Sequence, residues 1–308
     1  MTGRRAWFNI SGRERIVRIA RPEVSSASGT APFDSSGLVL APDALRFARE
    51  MLEFEPDDRQ SELLEKPIRR LLLNCTRQWG KSTITAIVAL HRAWTTPDSL
   101  ILAVSGSQRQ SSEFLRKVSG FLRRLGEKAR GDGTNRSSLV LPNGSRIVAL
   151  PEVEETLRGF SAVSLLIVDE AAVVRDDVYR ALRPMLSTSD GDLWLLSTPR
   201  GKSGFFWNEW SSGGPEWMRV SVKAEDCPRI STSFLEEERR SKGEMHFRRE
   251  YCCEFVQPEN AVFREEDIAA CLYDDEPLFS ELITVPSHSR TSSSDADLPD
   301  LSGAGGRR

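Results

Sequence analysis

The stretch Leu71-Leu72-Leu73-Asn74-Cys75-Thr76-Arg77-Gln78-Trp79-Gly80-Lys81-Ser82-Thr83 most narrows what this chain can fold into. A short apolar run leads into a polar loop, and Gly80-Lys81-Ser82 opens an amphipathic segment, the pattern of a buried strand, a tight loop and the first turn of a helix. Backbone N–H groups of such a loop, together with the positive end of the helix, can hold the oxygens of a triphosphate without water. Lys81 is expected to lie across the β and γ phosphates and the Ser82 hydroxyl to ligate magnesium. Gly80 lets the backbone turn where a Cβ would clash. The expected nucleotide-binding residues run from Cys75 and Thr76 through Arg77, Gln78, Trp79 and Gly80 to Lys81, Ser82 and Thr83. Cys75 stands where the common pattern has its first glycine, so an ordinary strand-to-helix turn is the competing reading.

A second apolar run, Leu165-Leu166-Ile167-Val168, ends in Asp169-Glu170-Ala171-Ala172. Ligands collect at the carboxyl ends of strands in open α/β sheets, which is where these two acids would sit. Asp169 is expected to hold magnesium, and Glu170 to orient and deprotonate an attacking water. The alternative makes them the acidic first turn of a following helix. A third strand, Leu193 to Leu196, ends in Ser197-Thr198-Pro199-Arg200-Gly201; Ser197 and Thr198 are candidates for sensing the γ phosphate, with a helix cap as the plainer explanation.

These three motifs, in this order, resemble the ATPase domain of the large terminase subunit, the motor that packages DNA into tailed bacteriophage heads. The resemblance covers residues 43–265. It implies a P-loop NTPase of the ASCE type: an α/β fold whose mainly parallel sheet carries helices on both faces, with a small helical lid region. It implies magnesium-dependent ATP hydrolysis driving double-stranded DNA translocation, with ATP as substrate and Mg2+ as cofactor. The partners implied are duplex DNA, the small terminase subunit and the portal protein, around a homo-oligomeric ring built from subunits that are monomeric in isolation. It also implies phage or prophage coding and a bacterial host cytoplasm. Residue by residue, Gln60 matches a glutamine that reads adenine, although Arg59 stands where an aromatic residue often precedes it. Arg77 matches an arginine acting on the γ phosphate of its own subunit, Arg158 resembles a finger inserted into a neighbour's site, and Ser197 with Thr198 forms the coupling motif. Which arginine acts as the finger stays open. A DNA helicase or translocase outside packaging, and a catalytically silent remnant that binds nucleotide or partners, are the alternatives.

The 308 residues, 39% hydrophobic, suffice for one substantial core, and a net charge of −3 excludes a surface coated in basic residues while allowing a local stripe. Five cysteines and three histidines show no metal-ligand spacing, so zinc is not expected. No apolar run is long enough to span a membrane. Residues 1–41, arginine-rich and then Ser/Gly/Ala/Pro-rich, read as a flexible arm. Residues 42–222 read as the ATPase core, 223–265 as lid and linker, and 266–308 as a truncated linker and tail, with the family's nuclease domain, and hence nuclease activity, not expected.

Within the core, helices are expected from Asp43 over Leu45–Leu52, from Asp57 to Glu65, over Ile84–Ala93 and after Ser107. Strands are expected at Leu100–Val104 and as a hairpin turning at Asn143-Gly144. The helix after Ser107 would bury Phe114, Leu115, Val118, Phe121 and Leu122. Its polar side, with Arg109, Arg116, Lys117, Arg123, Arg124 and Lys128 close by, reads either as a DNA-backbone track or as a solvated face. Phe205, Phe206, Trp207 and Trp210 read as core or lid packing, and Phe234–Arg240 with Met245–Glu254 as two closing helices.

Overall fold

The computed structural model describes residues 7–10, 13–16, 43–131, 137–153, 157 and 159–256. The chain divides into two units, Met1–Pro258 and Glu259–Arg308, and every described residue lies in the first. The expected linker, tail and most of the expected N-terminal arm fall outside the described residues. Within the arm's span, β1 (Trp7–Ile10) pairs antiparallel with β2 (Arg13–Ile16), an element the composition did not indicate.

Asp43 starts the first helical segment: its side chain accepts from the Arg46 N–H at 2.7 Å, and α1 (Ala44–Arg46) widens into a π turn over Phe47–Met51. Asp57 caps α2 (Asp58–Glu65) in a reciprocal box with Gln60, satisfying two helix-end donors at once. Then come β3 (Arg70–Cys75), α3 (Lys81–Thr95), β4 (Leu100–Ser105) and α4 (Gln108–Arg124). The hairpin is β5 (Ser138–Val140) and β6 (Arg146–Pro151), with Gly144 at φ 85° in its turn, and the Asn143 amide donates to the Ala93 carbonyl at 2.8 Å. β7 (Val163–Asp169), α5 (Asp176–Leu182), β8 (Asp192–Ser197), α6 (Gly204–Ser212), β9 (Met218–Val222), α7 (Thr232–Lys242) and α8 (Glu244–Glu250) complete the described chain.

Seven strands form one sheet in the order β5-β6-β4-β7-β8-β3-β9, parallel at every pairing except the hairpin. Alternate residues of each strand point to opposite faces. Leu71 and Leu73 therefore join a core with Ile84, Ile87 and Leu90 of α3 and with Phe114, Val118 and Phe121 of α4. Leu72, Leu166, Val168, Leu193 and Leu195 pack on the other side with Val178, Leu182, Phe205 and Phe206. Coverage on both faces is what a parallel sheet requires, and it accounts for strands that read as unbroken apolar runs.

β9 was not legible in the sequence. Met218, Arg219 and Ser221 are exposed at the sheet's edge, so the segment lacks an apolar signature, yet it runs parallel to β3 with Val222 opposite Cys75. The aromatic cluster does pack: Phe205 stacks on Tyr179 at 4.0 Å, and Phe255 lies against Phe206, Trp207 and Trp210. Among the described residues no helix is long and apolar enough to cross a membrane, and no cluster of His, Cys, Asp or Glu could hold a metal by itself.

Leu195 is fully buried in central strand β8. Leu195→Ala should cost roughly 2–5 kcal/mol, the range for emptying a well-packed core position. A urea-denaturation midpoint shift equivalent to less than about 1 kcal/mol would contradict this placement.

Candidate nucleotide-binding site

Because β7, β8 and β3 are parallel neighbours, their carboxyl ends fall on one edge: Asn74 lies opposite Ser197, and Asp169 opposite Leu196. The loop after β3, the acids after β7 and the hydroxyl pair after β8 converge there. Lys81 Nζ stands 3.4 Å from Thr198 Oγ1 and 3.8 Å from Glu170 Oε1. Thr198 Oγ1 in turn donates to the Cys75 carbonyl at 3.1 Å, so one hydroxyl bridges the base of the loop to its lysine.

The loop departs from the common pattern at Cys75 without penalty, since Cys75 is still a strand residue, fully buried and paired with Val222. The turn is made further on, by Gln78 at φ 64° and Gly80 at φ 107°. At Gly80 an added Cβ would also lie 2.9 Å from Gln60 Nε2, so backbone and space both select glycine. α3 then begins at Lys81 with no acidic residue in its first turn and no side-chain cap on its N–H groups, which leaves its positive end available to an anion.

These groups border a cavity of about 690 Å3, lined by Gln60, by the loop from Arg77 through Gly80, by Lys81, Ser82, Thr83 and Glu170, and by Phe54, Glu55, Lys117 and Arg229. Gln60 is buried with its amide committed: Oε1 accepts from the Asp57 N–H at 3.1 Å and Nε2 donates to the Trp79 carbonyl at 2.9 Å. One amide hydrogen is left for a ligand. Arg229 also donates to the Trp79 carbonyl and pairs with Asp57. Of the expected site residues, Cys75, Thr76, Asp169, Ser197 and Thr198 do not line the cavity itself; the Thr76 N–H is used by Val222 and its hydroxyl by the Glu250 carbonyl at 2.9 Å. Trp79 is fully buried, its side chain serving the core. The Arg77 guanidinium is engaged with the Glu250 carboxylate at 2.6 Å. Arg158 lies outside the described residues.

The acids do not begin a helix. Residues 170–174 form turns, and α5 starts only at Asp176. Glu170 sits at φ 55°, a left-handed conformation that costs a non-glycine residue about 1–2 kcal/mol and concentrates at functional positions. Its N–H bonds Asp169 Oδ1 at 3.0 Å. The Ser197 hydroxyl accepts from the Ala172 N–H at 3.1 Å, so it holds the turn that carries Glu170 while Thr198 holds the lysine.

Burial pushes the Asp169 carboxyl above its usual range, opposed by the Lys81 charge. Burial also works against the Lys81 ammonium, but its acidic surroundings favour the charged form and it stands above its ordinary value. Burial raises the Cys75 thiol as well, so Cys75 is neutral near pH 7 and the two carboxylates supply the standing field. The Ser82 hydroxyl and the Asp169 carboxylate are hard oxygen donors, and two acids face a single close cation here, a donor set that suits magnesium.

Lys117, Arg229, Phe54 and Glu250 were not singled out for the site by their sequence positions. Lys117 carried a faint signal, lying three residues after Phe114 and four before Phe121 and thus beside the buried stripe of α4. The basic side of that helix is partly spent: Arg116 pairs with Glu113, and Arg124 donates to the Leu52 carbonyl.

The family described as terminase large subunit, T4likevirus-type, N-terminal, matches residues 72–270. The large terminase subunit of Escherichia phage T5 is 26% identical over 209 residues, 65% of this chain and 47% of that protein. The ATPase domain of the Thermus phage P74-26 large terminase superposes with a TM-score of 0.62 at 22% identity, over 68% of this chain and 98% of that one. The large terminase of another thermophilic bacteriophage, in complex with ATP-γ-S, superposes with a TM-score of 0.52 at 11% identity, over 69% and 51%. This chain spans about half the length of the curated relatives it matches. With the family's match running from β3 through the described part of the chain and beyond, the protein belongs to the terminase large-subunit family of T4likevirus type, by its N-terminal region.

Proposed function

We propose that this chain hydrolyses ATP at the cavity beside Lys81 and serves as the ATPase part of a phage DNA-packaging motor. The observation that carries the reading is Lys81 Nζ poised between Thr198 and Glu170, under the uncapped end of α3. Family membership supports it, as does the thermophilic-phage terminase described in complex with ATP-γ-S.

Loop N–H groups and Lys81 bind and orient the β and γ phosphates, and Gln60 offers its remaining amide hydrogen to the adenine. Ser82 and Asp169 would hold magnesium, which neutralises phosphate charge when bound. Glu170 takes a proton from a water whose oxygen attacks the γ phosphorus, while the bond to the β–γ bridging oxygen breaks and ADP leaves. Arg77 must exchange its bond to Glu250 for the γ phosphate if it is to act there. Ser197, bonded to the turn after β7, and Thr198, beside Lys81, would pass the phosphate's presence to that turn. Duplex DNA, the small terminase subunit, the portal and a ring of subunits are the partners proposed on the strength of the family.

Lys81→Ala should abolish binding of a fluorescent ATP analogue, whereas Glu170→Gln should keep binding while phosphate release falls by roughly a hundred-fold or more. Hydrolysis surviving either change would remove the proposed mechanism. Gly80→Ala should weaken ATP binding through the left-handed backbone and the contact with Gln60, without loss of fold by circular dichroism; wild-type affinity would show the turn to be dispensable. If Arg158 completes a neighbour's site, activity per molecule should rise with protein concentration and should not do so in Arg158→Ala. A flat profile in the wild type would end the trans role.

A further inference from the structure

α4 packs against α3, and its buried stripe of Phe114, Leu115, Val118, Phe121 and Leu122 fixes its rotation. Lys117, on the flank of that stripe, lines the same cavity as Lys81, Thr83 and Glu170. The far end of the helix is docked independently: Phe121 meets Phe54 edge-on at 6.3 Å, and Arg124 bonds the Leu52 carbonyl. Lys117 is therefore carried on a helix held at both sides, and its approach to the cavity is set by packing.

The usual partner for a lysine at this place would be a carboxylate one helical turn earlier. That residue is Glu113, but Glu113 is taken by Arg116. Lys117 makes no hydrogen bond or ion pair with any described residue. A half-buried ammonium without a partner is costly, and an anion entering the cavity would relieve that cost. The cavity otherwise offers a triphosphate one close lysine, with Arg77 tied to Glu250 and Arg229 to Asp57.

We infer that Lys117 is a second phosphate-binding lysine of this site, reaching the polyphosphate of the bound nucleotide from α4, opposite the loop that carries Lys81. It contributes binding of ATP and ADP alike. The inference rests on the nucleotide reading of the cavity. Burial holds the Lys117 ammonium below its usual value, with Glu113 and Asp169 acting in the other direction, as expected of a cation that lacks its counter-ion.

The test is equilibrium binding of fluorescent ATP and ADP with magnesium to the full chain, comparing wild type, Lys117→Met, Lys117→Arg and Lys81→Ala. Lys117→Met keeps the apolar stem and removes the unpartnered charge, so it should not lower the nucleotide-free thermal midpoint. It should weaken both nucleotides by roughly ten- to a hundred-fold, the loss of one charge-assisted hydrogen bond in a partly dry site. Lys117→Arg should restore most of that loss, which a purely structural role would not predict. Affinity within two-fold of wild type in Lys117→Met, or equal weakening in Lys117→Arg and Lys117→Met, overturns the assignment while leaving the site intact. A wild-type chain that binds neither nucleotide, or binds as well with Lys81→Ala, overturns the nucleotide reading and this inference together.

Discussion

Lys81 is a nearly buried cation whose charge is maintained by two carboxylates at the end of another strand, and the site's geometry depends on that pairing. An isolated ammonium in such a place would lose its proton or the fold would open to solvate it. Glu170 at 3.8 Å and the field of Asp169 keep it charged, and Thr198 at 3.4 Å fixes its direction. The arrangement exists only because β7, β8 and β3 lie side by side and parallel, so that three loops far apart in the chain end at one edge. A shift of one residue in any of these strands would exchange the side chains packed on its two faces and withdraw the site at the same time.

The polar groups in the cavity wall and behind it are largely spoken for by the protein itself. Gln60 and Arg229 both use the Trp79 carbonyl, Thr76 holds the Glu250 carbonyl, and Asn74 donates to the Cys253 carbonyl at 2.7 Å. The end of α8 and the segment after it are thereby bonded to β3 and to the loop that follows it. The Glu250 carboxylate at the end of α8 holds Arg77, and Phe255 sits among the aromatic rings of α6. The loop's shape is thus imposed from α2, from β9 and from the end of α8, and the left-handed backbone at Gln78 is held by these contacts.

The principal elements of the core were legible because each left a local mark. Asp43 and Asp57 announced helix starts, Asn143-Gly144 announced a hairpin, and the apolar runs at 71–73, 165–168 and 193–196 announced strands covered on both faces. β9 left no such mark, because a strand at the edge is stabilised by pairing with β3 and not by apolar burial of its own. The helix expected over Met245–Glu254 ends at Glu250, where Tyr251 and the residues beyond turn to bond Ala224 and Asn74.

Residue order alone supplied the groups on which the proposed chemistry rests: a lysine and hydroxyl at a helix start, two acids at one strand's end and two hydroxyls at another's, types that suit a metal-bound polyphosphate. Tertiary structure decided which atoms meet. It set Arg77 against Glu250, spent the amide of Gln60 on the loop, buried Cys75 and Thr76 beneath the cavity, and brought Lys117 to its wall. Residue type is a local property that spacing can reveal. Proximity between α4, α8 and the loop after β3 arises from packing across the sheet's faces, to which no local pattern in the chain corresponds.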